Sequence, residues 1–427
     1  MQNQPDPRTL AALPDTELLE AVQRQTFRFF WEGGHPVSGL ALDRSGRDAE
    51  PDADMVTVGG SGFGVLALIV AAERGWEPRA AVLERLGTMV AFLLRAPRYH
   101  GVFSHFMNGG TGATIPLFQN DDGGDLVETA MLFMGLLAAR QYFDRDTAEE
   151  ALVRDRITAM WEAVEWDWHT KGGQDVLYWL WSPDKGWVLN QEIRGWNECL
   201  LTYVLAASAP RHAIDPSVYA RGFAGGRHFL NGNPYYGITL PLGPPFGGPL
   251  FFCHYSFCGL DPRGLKDQYA DYWAQCVGHV MINRAHCIEN PGGHKGYGDS
   301  CWGLTASDDP HGYSVHAPDS DNGTISPTAA ISSLPFAPAE VLALMRHLLE
   351  VHGDKVWGRY GFVDAFCEDR DWFADTFLAI DQGPMIAMIE NHRSELLWKL
   401  FMGIPEVQKG LRRLDFFSPH LDPSTQP

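Results

Sequence analysis

The segment NDDGGDLVETAMLFMGLLAARQYF, residues 120–143, joins a loop of acids and glycines to a run that is apolar nearly all round. A helix hydrophobic on every face belongs inside a protein, not on its surface. The same unit recurs along the chain. It is found as TVGGSGFGVLALIVAAERG (57–75), RGWNECLLTYVLAAS (194–208), GLDPRGLKDQYADYWAQCVGHVMINRA (259–285), DNGTISPTAAISSL (321–334) and DQGPMIAMIENHRSELLWKLF (381–401). With Thr57, Asp125, Asn197, Asp261, Ser326 and Asp381 as anchors, the spacings are 68, 72, 64, 65 and 55 residues. Each interval has room for a second helix. Pro78 to Arg95, Thr147 to Val164 and Pro338 to Val351 have the mixed apolar and charged periodicity of half-exposed helices. Six buried helices wrapped by amphipathic ones predict an all-α fold, an (α/α)6 toroid, as a single catalytic domain over residues 1–427. Short strands are expected in the loops, for instance Tyr236 to Leu240. The polar entries of the inner helices would gather at one end and build a site there.

Composition narrows the function. Length alone suggests two or three domains in 427 residues, but the repeated unit argues for one ring. Lys plus Arg is 33 against 53 Asp plus Glu, a net charge of −20. That balance excludes a nucleic-acid groove or an anionic membrane surface, both of which need clustered positive charge. A chain 45% hydrophobic and 20% charged is not a disordered acidic segment. The surplus of 45 Gly and 14 Trp suits a protein that binds flat, neutral molecules such as sugars. Seven cysteines, an odd number with no Cys-x-x-Cys pair, read as buried free thiols. No zinc site, other metal or cofactor is expected. Met1 to Leu13 lacks the pattern of a signal peptide, and the longest apolar stretch, Val65 to Ala72, is too short to span a bilayer. The chain therefore reads as soluble, either cytoplasmic or exported to the periplasm with its signal trimmed.

In NDDGGDLVET, Asp125 and Glu128 lie three apart at a helix start, with Asp121 and Asp122 in the loop beside them. Crowded carboxylates raise at least one pKa and make an acid/base pair possible. Helix capping by Asp125 is the simpler reading, but it leaves Asp121, Asp122 and both glycines unexplained. Glu198, in RGWNECL, enters another buried helix. Asp381 precedes Gly383 and Pro384 at a helix entry, and Glu390 beyond it reads equally as a buried ion pair with Arg393. Seven of the fourteen tryptophans fall between Trp161 and Trp196. Trp166/Trp168 and Trp179/Trp181 alternate like two strands about a KGGQD turn, giving either a sugar platform or a packed lid. CWGLTASDDPHGY (301–313) looks too polar for core, which makes Trp302, Asp308, Asp309 and His311 exposed-loop candidates. Two other readings fail. Asp121-Asp122-x-x-Asp125 matches a magnesium motif, but that motif needs a continuous helix, where two glycines would each cost about 1 kcal/mol. GGSGFG (59–64) lacks the Gly-Lys-Ser/Thr ending of a phosphate loop.

HPVSGLALDR (35–44), TVGGSGFG, NDDGGDLVET, EWDWHTKGG (165–173), RGWNECL, GGPLFFCHYSFCGLDPRGLKD (247–267), CWGLTASDDPHGY, DNGTISPTAA and DQGPMIAMIEN together resemble glycoside hydrolase family 144. These are the bacterial β-1,2-glucanases, also described as glucoamylase-like. The similarity runs from about Leu18 to Val407. It implies an (α/α)6 fold and inverting hydrolysis of β-1,2-glucan to sophorose or sophorooligosaccharides, with Asp121, Asp125, Glu128 and Glu198 as the essential acids. An inverting hydrolase needs one protonated and one ionised carboxyl on opposite sides of the bond. Asp125, held by helix-entry donors, suits water activation, with Glu198 or Glu128 on the acid side. Trp181, Trp196, Trp302 and Tyr255 are the sugar-stacking candidates. His254 and Asp381 complete the binding set, although His254 and Tyr255 read equally well as core. A non-catalytic binding protein and a transglycosylase acting on the same glucan are the rival functions.

Overall fold

The computed structural model describes residues 6–46 and 54–421. Met1–Pro5, the first part of the stretch read for a signal, lie outside the described residues. The helices are α1 (Pro7–Ala11), α2 (Asp15–Trp31), α3 (Val58–Glu73), α4 (Arg79–Leu93), α5 (Leu126–Tyr142), α6 (Ala148–Glu162), α7 (Leu200–Ser208), α8 (Tyr272–Glu289), α9 (Pro327–Ser332), α10 (Pro338–Val351), α11 (Ala379–Ser394), α12 (Leu396–Met402) and α13 (Pro405–Arg413). In the inner ring α3 packs on α5, α5 on α7, and α7 on a short turn at Ser256–Cys258, itself packed on another at Leu250–Cys253. Those turns meet α9 and α11, and α11 returns to α3, closing a circle of six. Outside it, α2 packs on α3 and α11, α4 on α3, α6 on α5, α8 on the 250–253 turn, and α10 on α9. The sixth outer position is one wide turn, Val218–Phe223, whose Phe223 and Tyr219 rings pack on Tyr203 of α7. The architecture is an (α/α)6 toroid.

Local chemistry accounts for the inner helices. Apart from Arg140, Gln141 and Tyr142 at its end, every residue of α5 is buried, and α3 is buried from Val58 to Ala71. The two approach so closely that a Cβ on Gly62 would stand 2.2 Å from the Met131 carbonyl oxygen, and one on Gly135 would stand 2.1 Å from that of Gly62. The glycine run 59–64 is thus a helix-packing face, which is why it lacks phosphate-loop features. All seven cysteines are buried free thiols. No helix among the described residues is long and apolar enough to cross a membrane.

The structure corrects the reading of the chain at four points. The fourth unit does not start a helix at Asp261, which instead bonds Arg263 and His420. The turns at 250–258 fill that inner place, and α8, capped by Asp271, is an outer helix. Tyr236 to Leu240 is not one strand: Pro234–Tyr235 pairs with Ile238–Thr239, so Tyr236 and Gly237 form the hairpin turn. Trp166–Thr170 is a helical turn, and Leu180–Trp181 pairs with Gly124–Asp125. Glu390 is indeed a buried ion-pair acid, but its partner is Arg74, at 2.9 Å through two parallel hydrogen bonds, while Arg393 pairs with Glu20.

Gly135→Ala inserts a methyl group against backbone that cannot swing aside. A loss of about 1–3 kcal/mol, read as a lowered Tm, is expected; an unchanged Tm would mean that the two helices separate without cost.

Candidate active site

The site starts at the entry to α5. Asp125 is the N-cap: its Oδ1 accepts the N–H groups of Val127 and Glu128, both at 2.9 Å. Its Oδ2 takes the Nδ1 of His105 at 3.0 Å. His105 precedes the strand Phe106–Asn108, which pairs with Met55–Thr57 at the entry to α3. That pairing carries the imidazole across to the carboxylates, and its Nε2 lies 3.9 Å from Glu128 Oε1. Glu128 Oε2 accepts the Gly59 N–H at 2.7 Å and lies 3.5 Å from Thr57 Oγ1. A Cβ on Gly59 would stand 2.6 Å from that oxygen, so only glycine lets the carboxylate sit there.

Glu128 and Glu198 line one cavity of about 470 Å³, together with His105, Trp179, Tyr255 and Arg44. Burial pushes the Glu128 carboxyl up to about 7, against the pull of the His105 cation and the Gly59 N–H. Burial, reinforced by the negative charges of Glu128 and Asp125, pushes Glu198 up to about 7 as well. Burial alone would lower His105, but Glu128, the hydrogen bond and charge of Asp125, and Asp121 together raise it to about 10. It is an imidazolium at neutral pH. Asp121 is raised by burial and by Asp125; its Oδ2 accepts the Leu117 N–H, and its buried Oδ1 has no partner among the described residues.

The four acids named from the sequence therefore do not share one position. Glu128 and Glu198 face the cavity. Asp125 is 1% exposed with both oxygens engaged, which leaves it no room to activate a water. Its geometry is that of a helix cap and a clamp on His105. Asp121 adds its charge behind the same imidazolium.

Of the binding set, Tyr255 lines the cavity, stacked on Phe251 with centroids 5.0 Å apart. Trp181 stands half-buried beside Gly124. The other members of the set turn inward, His254 in keeping with its core reading. Trp302 is 0% exposed, and Asp308 and Asp309 are buried with it in the strand Ala306–Asp309; only His311 of that group is exposed. Trp196 follows a left-handed glycine, Gly195, and is buried among Phe223, Phe229, Phe257 and Tyr272. His254 is a core residue whose Nε2 bonds Ser333 Oγ at 2.9 Å, and burial lowers its pKa to about 3. Asp381 is buried behind Tyr255, sharing a hydrogen bond with Asp364. Burial and the Asp364 charge hold it protonated well above the usual range.

Sequence reasoning missed His105, Trp179 and Arg44. His105 carries no local signal, because its role comes from strand pairing. Trp179 was legible as a tryptophan in an alternating run, but its neighbour Trp181 was preferred. Arg44 reaches the cavity from the 35–44 motif and is held by Asp43 and Asp308, each at 3.0 Å.

Known proteins share this arrangement of the chain. The Glycoamylase family model, described as "Putative glucoamylase", matches residues 190–405. A solved structure under the same description, from Bacteroides uniformis, is 55% identical with a TM-score of 0.94, covering 96% of this chain and 99% of that one. An endo-β-1,2-glucanase from Chitinophaga pinensis, solved with sophorotriose and glucose, is 48% identical with a TM-score of 0.93, covering 96% and 100%. An exo β-1,2-glucooligosaccharide sophorohydrolase (non-reducing end) from Parabacteroides distasonis is 42% identical over 435 residues. That alignment takes in 96% of this chain, which spans 60% of the length of that curated relative.

His105→Gln removes the cation between the carboxylates and leaves their burial. Glu128 should then hold its proton to higher pH, moving the acid limb of any pH–rate profile up by about 1–3 units. An unmoved limb would detach His105 from the ionisation of the site.

Proposed function

The chain belongs to the glucoamylase-like family of β-1,2-glucanases, glycoside hydrolase family 144, and on that premise we propose that it hydrolyses β-1,2-glucan to sophorose or sophorooligosaccharides with inversion. The relatives' activities supply the substrate. One observation carries the chemistry: two glutamates from adjacent inner-ring units line one cavity, and both are raised to about 7. A group titrating near the working pH is suited to proton transfer in either direction. Glu128 has the His105 cation and the Gly59 N–H beside it, while Glu198 is pushed up by the charges of Glu128 and Asp125. The proton shared by the pair therefore rests on Glu198. Glu198 donates it to the leaving glycosidic oxygen, and ionised Glu128 draws a proton from the attacking water. Asp125 positions His105 and the first turn of α5, and Asp121 adds to the field that keeps His105 charged. Tyr255, Trp179 and Arg44 contact the sugar, which is neutral, in keeping with a cavity walled by carboxylates. The toroid works as a single catalytic domain with no metal in the mechanism.

Glu198→Gln and Glu128→Gln, made separately, should each lower the release of reducing ends from linear β-1,2-glucan by about 10²–10⁴-fold. Near-wild-type turnover in either variant removes that residue from the mechanism, and tight binding without product in the wild type would leave a glycan-binding protein instead.

A singly protonated pair predicts a rate that is maximal near pH 7. Below it Glu128 gains a proton, and above it Glu198 loses one, so kcat/KM falls on both sides. Time-resolved NMR should find the new reducing end first as the α-anomer; a β-anomer would rule out inversion.

A further inference from the structure

Among the described residues, Trp168 is the most exposed tryptophan, at 39%. It is also the outermost of a connected row. Trp179 lines the cavity. Trp181 lies two residues further along an extended segment, with Leu180 buried between them. In extended chain that spacing puts both indoles on one side, about 7 Å apart. The Trp181 ring meets Trp168 at 6.2 Å and His100 at 5.1 Å between centroids. Trp168 lies flat on the His100 ring, 3.8 Å away at 11° between planes.

The backing of that indole is built, not incidental. His100 Nδ1 bonds Glu165 at 2.8 Å, and the Glu165 N–H returns to the His100 carbonyl at 2.9 Å. His100 and Gly101 form a left-handed turn, φ 55° and 78°, where a Cβ on Gly101 would stand 2.1 Å from the Ala163 carbonyl oxygen. Held between the clamped imidazole and Trp187, whose ring lies 6.4 Å away, Trp168 keeps a fixed place while 39% of it stays exposed. The cavity mouth continues the apolar surface: Leu117, which lines the cavity, is 53% exposed and Phe118 is 46% exposed. Their loop is tied to the Ser182–Gly186 turn that follows Trp181, where Lys185 Nζ donates to Asn120 Oδ1.

We propose that Trp181 and Trp168 form a distal binding strip for β-1,2-glucan, holding glucosyl units beyond those at the scissile bond. The proposal rests on the glucanase reading above. A pyranose presents C–H groups to a flat aromatic face and needs no charge partner. The acids beside the strip, Glu165 and Asp167, in a chain of net charge −20, disfavour an anionic polysaccharide. Continuity with the cavity through Trp179 sets the direction: a chain engaged at Glu198 and leaving past Trp179 meets Trp181 and then Trp168. Short oligosaccharides would end before reaching it.

Calorimetric titration in a Glu198→Gln background, with sophorotriose and with a long linear β-1,2-glucan, tests this directly. Adding Trp168→Ala should weaken the long chain by about three- to tenfold, the scale of one aromatic contact, and leave the trisaccharide within about twofold. Trp168→Phe should restore most of the long-chain affinity. Unchanged long-chain affinity with Trp168→Ala, or an equal loss on both ligands, overturns the strip while the glucanase reading stands. A Glu198→Gln parent that binds neither ligand, joined to a wild type that releases no product, overturns both together.

Discussion

The backbones of α3 and α5 meet at Gly62 and Gly135, and the position of Glu128 depends on that contact. Were the two helices held apart by side chains, the Gly59 N–H could not reach the Glu128 carboxylate at 2.7 Å. The glycines are therefore both a packing device and part of the site. Gly62 and Gly135 let the helices close, and Gly59, one turn nearer the helix entry, receives the acid that this closeness delivers. Packing of this kind leaves little freedom: protein interiors are close-packed, so a helix displaced to fit one methyl group carries its functional side chain with it.

Around that anchor the charges form a single unit. Asp125, Glu128 and Asp121 act on one imidazolium, and Glu198 is pushed up by burial and by the charges of Glu128 and Asp125. Unlike charges close together in a poorly hydrated site interact more strongly than they would in water, so the ionisation of Glu128 is linked to that of His105. Asp125 couples this unit to secondary structure, because one carboxylate both caps α5 and holds His105. The buried Asp364–Asp381 pair behind Tyr255 is a second crowding of acids, relieved there by a retained proton and not by a cation.

The ring was legible in the sequence because buried helices announce themselves locally, by apolar residues on all faces. Five of the six proposed inner helices occur where the pattern put them. The fourth was misplaced because its inner element is a pair of tight turns, too short for any helical period, while the amphipathic helix after it supplied the convincing pattern. The capping role of Asp125 and the burial of Glu128 were readable in NDDGGDLVET. The cavity's other parts were not. His105 reaches Asp125 through strand pairing with a distant segment, and Trp302 and Trp196 are buried by turns that a polar, glycine-rich stretch disguises. Composition reports how often a loop is polar; it does not report which way a single indole points.

A ring differs from a stack of repeats in having no end units. Because α11 packs directly on α3, every inner element has two lateral neighbours and none is specialised to face water on its flank. Until α11 is in place, α3 has an uncovered apolar side, and α11 is the last of the six in chain order. The circle can therefore close only once that last element has been made.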